Sequence, residues 1–270
     1  MSFTFGRRRF AAACFALAAA GAASIAHADA WDTIEKAKAI RVAIDPAAPP
    51  YSSLDSLGQY AGSEVEVAKR LASDLGLALT IVPTAPANRI PYLITGQADV
   101  VISTLSITDE RKKVIEFSAP YSGIQIVVGA PKAAGVTSLA DLVGKRVAVT
   151  RGSTNDTEIT SNAVPGTNII RFEDDATSIT AVLSGQADAY VTAPALLSTV
   201  RERNPALGMV SVIVLKTNVT GIGVRKGENR LLEKVNSWVK GRLADNSLDG
   251  IYRKAFGEPL PKEVAEQTGR

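Results

Sequence analysis

The chain has 270 residues, 46% of them apolar, enough for one large domain or two small ones. Its only cysteine is Cys14 and its only histidine is His27, both in an N-terminal leader, so the remainder has no disulfide, no Cys/His zinc site, no Cys nucleophile and no Ser-His-Asp triad. Of 30 Lys+Arg, three fall in that leader, and 30 minus 3 leaves 27 against 27 Asp+Glu, a balance without a basic footprint for nucleic acid or an anionic membrane.

The leader is residues 1–28. Arg7, Arg8 and Arg9 precede an Ala-rich apolar run that closes on Ala26-His27-Ala28, the pattern of a secretory signal peptide cleaved after Ala28, by the general or the twin-arginine route. The run is too short for a membrane anchor, and no later stretch is apolar enough to span a bilayer, so a soluble exported product is expected.

Beyond Asp29, Val/Ile-rich runs alternate with amphipathic segments, which predicts α/β layers with a largely parallel sheet. Strands are expected at 40–44, 78–82, 99–103, 123–129, 146–150, 168–172, 188–192, 210–215 and 221–225. A helix over 64–75 carries Val65, Ala68, Leu71, Ala72 and Leu75 on one stripe, and Gly76 stops it. A final helical region covers 229–244 and 248–256, with Leu232, Val235, Val239 and Leu243 on one face.

One phrase occurs twice. "LITGQADVVIST" runs from Leu93 and "VLSGQADAYVTA" from Val182, with Gly96 and Gly185 at matching places. In each, a helix ends at Gly, Gln-Ala turns the chain, and Asp opens a strand that ends in hydroxyl residues. Such junctions are common in α/β proteins, but two lobes of similar build that turn their strand ends toward one crevice explain the repetition more fully. After the first copy come Ser103, Thr104, Ser106 and then Arg111. Hydroxyls and a guanidinium that converge at a strand end form a carboxylate receptor, because the planar fork of Arg binds both oxygens; the alternative, which the charged run 109–113 favours when Arg111 is taken alone, is a solvated side chain.

From Ser103 to Arg111, with Phe117-Ser118-Ala119-Pro120-Tyr121 following, the chain resembles the extracellular solute-binding proteins, family 3, the polar amino acid-binding components of ABC transporters. The resemblance extends through "RVAIDPAAPPYSS", "SLADLVGKRVAVTRGST", "GQADAYVT" and "GIGVRKGE". It implies a type II periplasmic-binding-protein fold of two α/β lobes, with lobe one formed by 29–128 and 221–270 and lobe two by 131–215. The two crossings would lie near 128–131 and 215–221. It further implies a periplasmic monomer that closes on an amino acid and docks on a membrane permease, with no cofactor and no metal. Arg111 would bind the α-carboxylate, supported by Thr104 and Ser106, and lobe two would add Thr150, Ser153 and Thr154.

At two positions the chain departs from the family. Where many members hold an aspartate for the ligand ammonium it has Ala193, and where an aromatic often covers the ligand it has Ala48. Asp45 and Asp175 are the candidate replacements; the alternative for each is a helix cap or a solvated turn carboxylate. "ANRIPYLITG" and "FGEPLPKE" resemble the glutamate/aspartate-binding branch, where Arg89 would reach a side-chain carboxylate, or else brace its helix. The rival from another class is an enzyme on the same fold, such as a dehydratase of a small cyclic acid, using Asp174 and Asp175 as acid and base.

Overall fold

A computed structural model describes residues 29–265 of the chain; the leader and its cleavage site lie outside the described residues. In chain order the strands are β1 (Ala39–Ile44), β2 (Ala47–Ala48), β3 (Ser52–Leu54), β4 (Tyr60–Ala61), β5 (Ala78–Pro83), β6 (Val100–Val101), β7 (Ile115–Pro131), β8 (Arg146–Thr150), β9 (Asn168–Phe172), β10 (Ala189–Thr192) and β11 (Met209–Arg225). The helices are α1 (Ala30–Ala37), α2 (Ser63–Asp74), α3 (Arg89–Ile94), α4 (Asp109–Lys112), α5 (Thr154–Asn162), α6 (Asp175–Leu183), α7 (Pro194–Arg203), α8 (Asn229–Ala244), α9 (Ser247–Phe256) and α10 (Lys262–Ala265).

Eight strands form one sheet in the order β5-β1-β6-β11-β7-β10-β8-β9. β1 runs parallel to β5 and β6, and β8 runs parallel to β9 and β10. The parallel expectation therefore holds at each end and fails in the middle, where β7 and β11 are antiparallel strands of 17 residues each. Sequence patterning leaves 216–220 out of β11, because Lys216, Thr217 and Asn218 are polar and read as a linker between strands. Residues 120–126 pair only with 216–221, so a two-strand ribbon joins the halves. Val127 to Gly129 already pair with β10, while Gly223 and Val224 pair with β6.

Both sheet faces are covered, which is why the strand runs are continuously apolar. Along β1, Ile40, Val42 and Ile44 enter one core with Trp31, Leu71 and Trp238, while Ala43 enters another with Leu93 and Ile115. Along β8, Val147 and Val149 pack with Ile126 and Ile159, and Ala148 packs with Ile179 and Tyr190. α8 buries Leu231, Val235, Trp238, Val239 and Leu243; Leu232 is only partly buried.

The repeated phrase builds the same junction in each half. Gly96 (φ +69°) and Gly185 (φ +71°) sit in the left-handed region just past α3 and α6, the conformation that favours glycine. Asp99 then accepts the Arg41 main-chain N–H at 2.7 Å and pairs with its guanidinium at 2.6 Å. Asp188 does the same for Arg146, at 2.8 and 2.7 Å. Each aspartate thus fixes the neighbouring parallel strand at its first turns of pairing. Asp99→Ala should destabilise the fold by about 1–2 kcal/mol in denaturant unfolding, with ligand affinity unchanged. Asp188→Ala should cost less, because that side chain is 39% exposed against 8% for Asp99.

Candidate functional site

The carboxyl ends of β1, β6 and β8 face one another across the crevice between the halves, where an open α/β sheet holds ligands. β1 delivers Asp45, the loop after β6 delivers Ser103 to Arg111, and β8 leads into Ser153 and Thr154. The two halves touch here. Ser106 Oγ lies 3.1 Å from Thr154 Oγ1, and Arg111 donates to the Ser106 carbonyl at 3.0 Å and to the Gly152 carbonyl of the other half at 3.4 Å. The structure is therefore closed. A Cβ on Gly152, at φ +71°, would stand 2.8 Å from the Ala87 Cα of the opposite half. Gly152→Ala should weaken ligand binding by about tenfold or more by holding the crevice open, a loss that calorimetry would read.

Arg111 faces the crevice with no ion pair among the described residues. Thr108 caps α4 by accepting the Arg111 N–H at 3.2 Å, which aims the side chain into the crevice. Among the described residues no carboxylate lies within ion-pair distance of it. Burial, then the nearby Arg89, lowers its pKa to about 9. A bound anion would reverse both effects.

Arg89 is 4% exposed and spends Nε on the Pro86 carbonyl at 3.0 Å and Nη1 on the Ser103 carbonyl at 2.5 Å. Burial lowers its pKa, and Asp45, Asp175 and Glu64 hold it up in that order. It braces the loop from inside rather than presenting a free fork.

Two carboxylates face the crevice without ion pairs. Asp45, 3% exposed, accepts the Ala47 N–H at 2.9 Å, and its own N–H donates to Ser103 Oγ at 3.1 Å. It forms a local turn, yet a buried one: burial, then the charge of Asp175 across the crevice, raises its pKa to about 7. Asp175 accepts from Thr150 Oγ1 at 2.5 Å and from the Tyr190 hydroxyl at 2.9 Å. Burial raises its pKa, and those two hydrogen bonds oppose the rise. The helix cap belongs to its neighbour: Asp174 accepts the Thr177 N–H at 2.7 Å and closes a capping box. Asp174 and Asp175 therefore bond in different directions, one to the helix end and the other to Thr150 and Tyr190.

Several expected residues act behind this surface. Ser153 caps α5, accepting the Asp156 N–H at 3.1 Å, and Thr150 serves Asp175. Thr104 occupies the left-handed region at φ +45°, with its N–H on Glu64 Oε1 at 3.2 Å. Ala48 and Ala193 are both buried in an apolar cluster with Tyr51, Ile179 and Tyr190, so neither position offers a polar group. Sequence reasoning missed Glu64, Tyr190 and Gly152. Glu64 reads as an ordinary first-turn acid and Tyr190 as strand core, while "TRGST" carried a legible glycine signal.

A cavity of about 280 Å³ opens at the crevice mouth beside Asp45, Thr84, Tyr92 and Asp174. A larger one, about 850 Å³, lies on the outer face between α2 and α9, lined by Glu66, Lys69 and Lys254, with none of the crevice groups.

This architecture is that of the type II periplasmic binding proteins. It aligns with a mutant of ArgBP from T. maritima at TM-score 0.78 and 34% identity, covering 84% of this chain and 99% of that one. It also aligns with the ancestral amino acid-binding protein AncCDT-1, a precursor of cyclohexadienyl dehydratase, at TM-score 0.76 and 36% identity, covering 84% and 99%. In sequence it is 33% identical to the L-cystine-binding protein TcyJ of Escherichia coli (strain K12) over 224 residues, 82% of this chain and 84% of that protein. Residues 40–258 match the bacterial extracellular solute-binding proteins, family 3, and the chain belongs to that family.

Proposed function

We propose that the protein is the substrate-binding component of an ABC transporter and that it captures a neutral or basic amino acid in the periplasm for a membrane permease, acting as a monomer. The observation that carries this reading is the charge held at the crevice: Arg111, which bonds a main-chain carbonyl of each half and pairs with no carboxylate among the described residues, and the buried carboxylates Asp45 and Asp175, which lie in each other's field. That is a receptor for a zwitterion. The α-carboxylate lies on the Arg111 fork with Ser106 and Thr154, and the α-ammonium lies between Asp45 and Asp175, which replaces the aspartate absent at Ala193. A micromolar ligand needs about 8 kcal/mol. Charged hydrogen bonds at about 1.5–3 kcal/mol each supply that from four or five contacts after the cost of immobilisation.

The acidic ligand of the sequence reading is disfavoured. Arg89 is committed to two main-chain carbonyls and lies in the fields of three carboxylates, so a glutamate side chain brought to it would meet Asp45 and Asp175. The lobes we assign are 29–119 with 222–265, and 127–213, hinged on the ribbon; the first crossing is taken earlier than 128–131 because Val127 to Gly129 pair with β10.

A thermal-shift screen against the common L-amino acids and small dicarboxylates tests the class. Neutral or basic amino acids raising the melting temperature, with glutamate and aspartate inactive, is the expected pattern. A response to dicarboxylates alone would refute it.

A further inference from the structure

Glu64 is the second residue of α2, where an acid ordinarily faces solvent and complements the helix dipole. Here it is 3% exposed. It has no ion-pair partner among the described residues, and burial raises its pKa to about 7 against the hydrogen bonds that Tyr121 and Thr104 donate. A carboxylate left in so unfavourable a place is held for the two bonds it accepts. One comes from the Tyr121 hydroxyl, on the ribbon that joins the lobes; the other is the Thr104 N–H at 3.2 Å.

Thr104 is the unusual partner. A β-branched residue at φ +45° is strained, and the other non-glycine residues with positive φ among those described, Lys38 and Asn246, sit at helix ends. The reversal at Thr104 sends the chain in two directions. Before it, Ser103 turns inward to Arg89 and Asp45. After it, Leu105 accepts the Gly221 N–H at 3.1 Å and Ser106 reaches Arg111 and Thr154.

The geometry points to Glu64 as a positioning residue for ligand recognition: its carboxylate holds Thr104 in the left-handed conformation that aims Ser106 and Arg111, and ties that loop to the ribbon through Tyr121. The inference rests on the reading of this loop as the carboxylate receptor. Glu64 touches no ligand and acts through the loop backbone.

The test is a double-mutant cycle in the purified protein. Glu64→Met keeps the volume and removes both acceptors, Glu64→Gln keeps an acceptor for the Thr104 N–H, and Thr104→Gly reaches positive φ without strain. The probe is the tightest binder among L-arginine, L-glutamine, L-histidine and L-cystine, measured by calorimetry. Glu64→Met should lose about tenfold or more in affinity, and Glu64→Gln less than about threefold. In the Thr104→Gly background the Glu64→Met loss should shrink below about threefold, because the glycine no longer needs holding. An equal loss in both backgrounds, or Glu64→Gln as weak as Glu64→Met, overturns the proposal. Amide exchange at Thr104 in the ligand-free protein reads the same contact without any ligand. It should speed up by about tenfold or more in Glu64→Met, and unchanged exchange also overturns the proposal. If none of the four amino acids binds the parent, or Arg111→Ala binds as the parent does, the carboxylate reading fails while the exchange result still decides the role of Glu64.

Discussion

Arg111→Ala is expected to lower amino-acid affinity by more than about a hundredfold, a loss of about 3 kcal/mol, while the ligand-free protein keeps its fold. The asymmetry follows from what the guanidinium does before a ligand arrives. It donates to two carbonyls, Ser106 and Gly152, one from each half, and has no carboxylate to neutralise it. Burial and then Arg89 lower its pKa to about 9, so this environment disfavours the charge. Removing it should leave the unfolding temperature unchanged or slightly higher, because the freed carbonyls at this half-buried position can bond water. Removing it from the complex strands a ligand carboxylate in a closed crevice, where an unpaired charge is costly. Arg111→Lys should recover only part of the loss, since an ammonium cannot bind both oxygens of a carboxylate. Calorimetry that returns parental affinity for Arg111→Ala would remove the carboxylate receptor from the account.

Asp45→Asn is expected to have opposite effects on the empty and filled protein. In the ligand-free closed form the Asp45 pKa is raised from 3.8 to about 7. A raised folded pKa means that Asp45 contributes its full stability below pH 3.8, where it is protonated in both states, and that this contribution is lost as pH rises through about 7. The loss above pH 7 is on the order of 4 kcal/mol, so Asp45→Asn should melt well above the parent at pH 8, and the two should converge near pH 4. With a ligand ammonium beside it the carboxylate gains a cation in addition to Arg89, so its pKa falls and binding releases protons near neutral pH. The parental affinity should therefore weaken as pH drops below 7. Asp45→Asn should bind about 10- to 150-fold more weakly than the parent at pH 8, and the gap should narrow at low pH. Glu64, whose pKa is also raised, titrates in both proteins and cancels in the difference between the two curves, which reports Asp45 together with its coupling to Asp175. Parallel melting curves at all pH values would contradict this.

Much of the fold was legible because its signals are local. The 146–150 and 168–172 strands coincide with β8 and β9, and α8 begins and ends at the expected residues, because apolar period and flanking glycines agree there. The expected strands 123–129, 210–215 and 221–225 cover only parts of β7 and β11, because much of the remainder lies on a ribbon with few neighbours, where composition and pairing disagree. In the crevice, residue type announced Arg111, Ser106, Thr154, Asp45 and Asp175; the first three lie within hydrogen-bond reach of one another, and Asp45 lies in the field of Asp175. It could not announce what each one bonds. Arg89 reads as a second anion receptor until its donors are found on the Pro86 and Ser103 carbonyls. Ser153 reads as a ligand hydroxyl until it is seen to cap α5. Glu64 and Tyr190 carried no signal, since an acid in a first helical turn and a tyrosine in a strand look ordinary until the third dimension brings them under the site.

The repeated Gly-Gln-Ala-Asp phrase changes meaning in the same way. Its aspartates hold Arg41 and Arg146 at matching places in the two halves, so the repetition records shared construction. The binding asymmetry arises farther along each strand, where one copy leads to Arg111 and the other ends at Ala193 against Tyr190 and Tyr51.

The closed crevice is proposed to read both ends of an amino acid at once. Its most direct test is calorimetry with the amino acid that gives the largest shift in the screen, beside the same molecule without its α-amino group and without its α-carboxyl group. Each truncated molecule should bind at least about a hundredfold more weakly, and Asp45→Asn should no longer discriminate against the one lacking the amino group. Near-equal affinity for the intact molecule and either truncated form would contradict it.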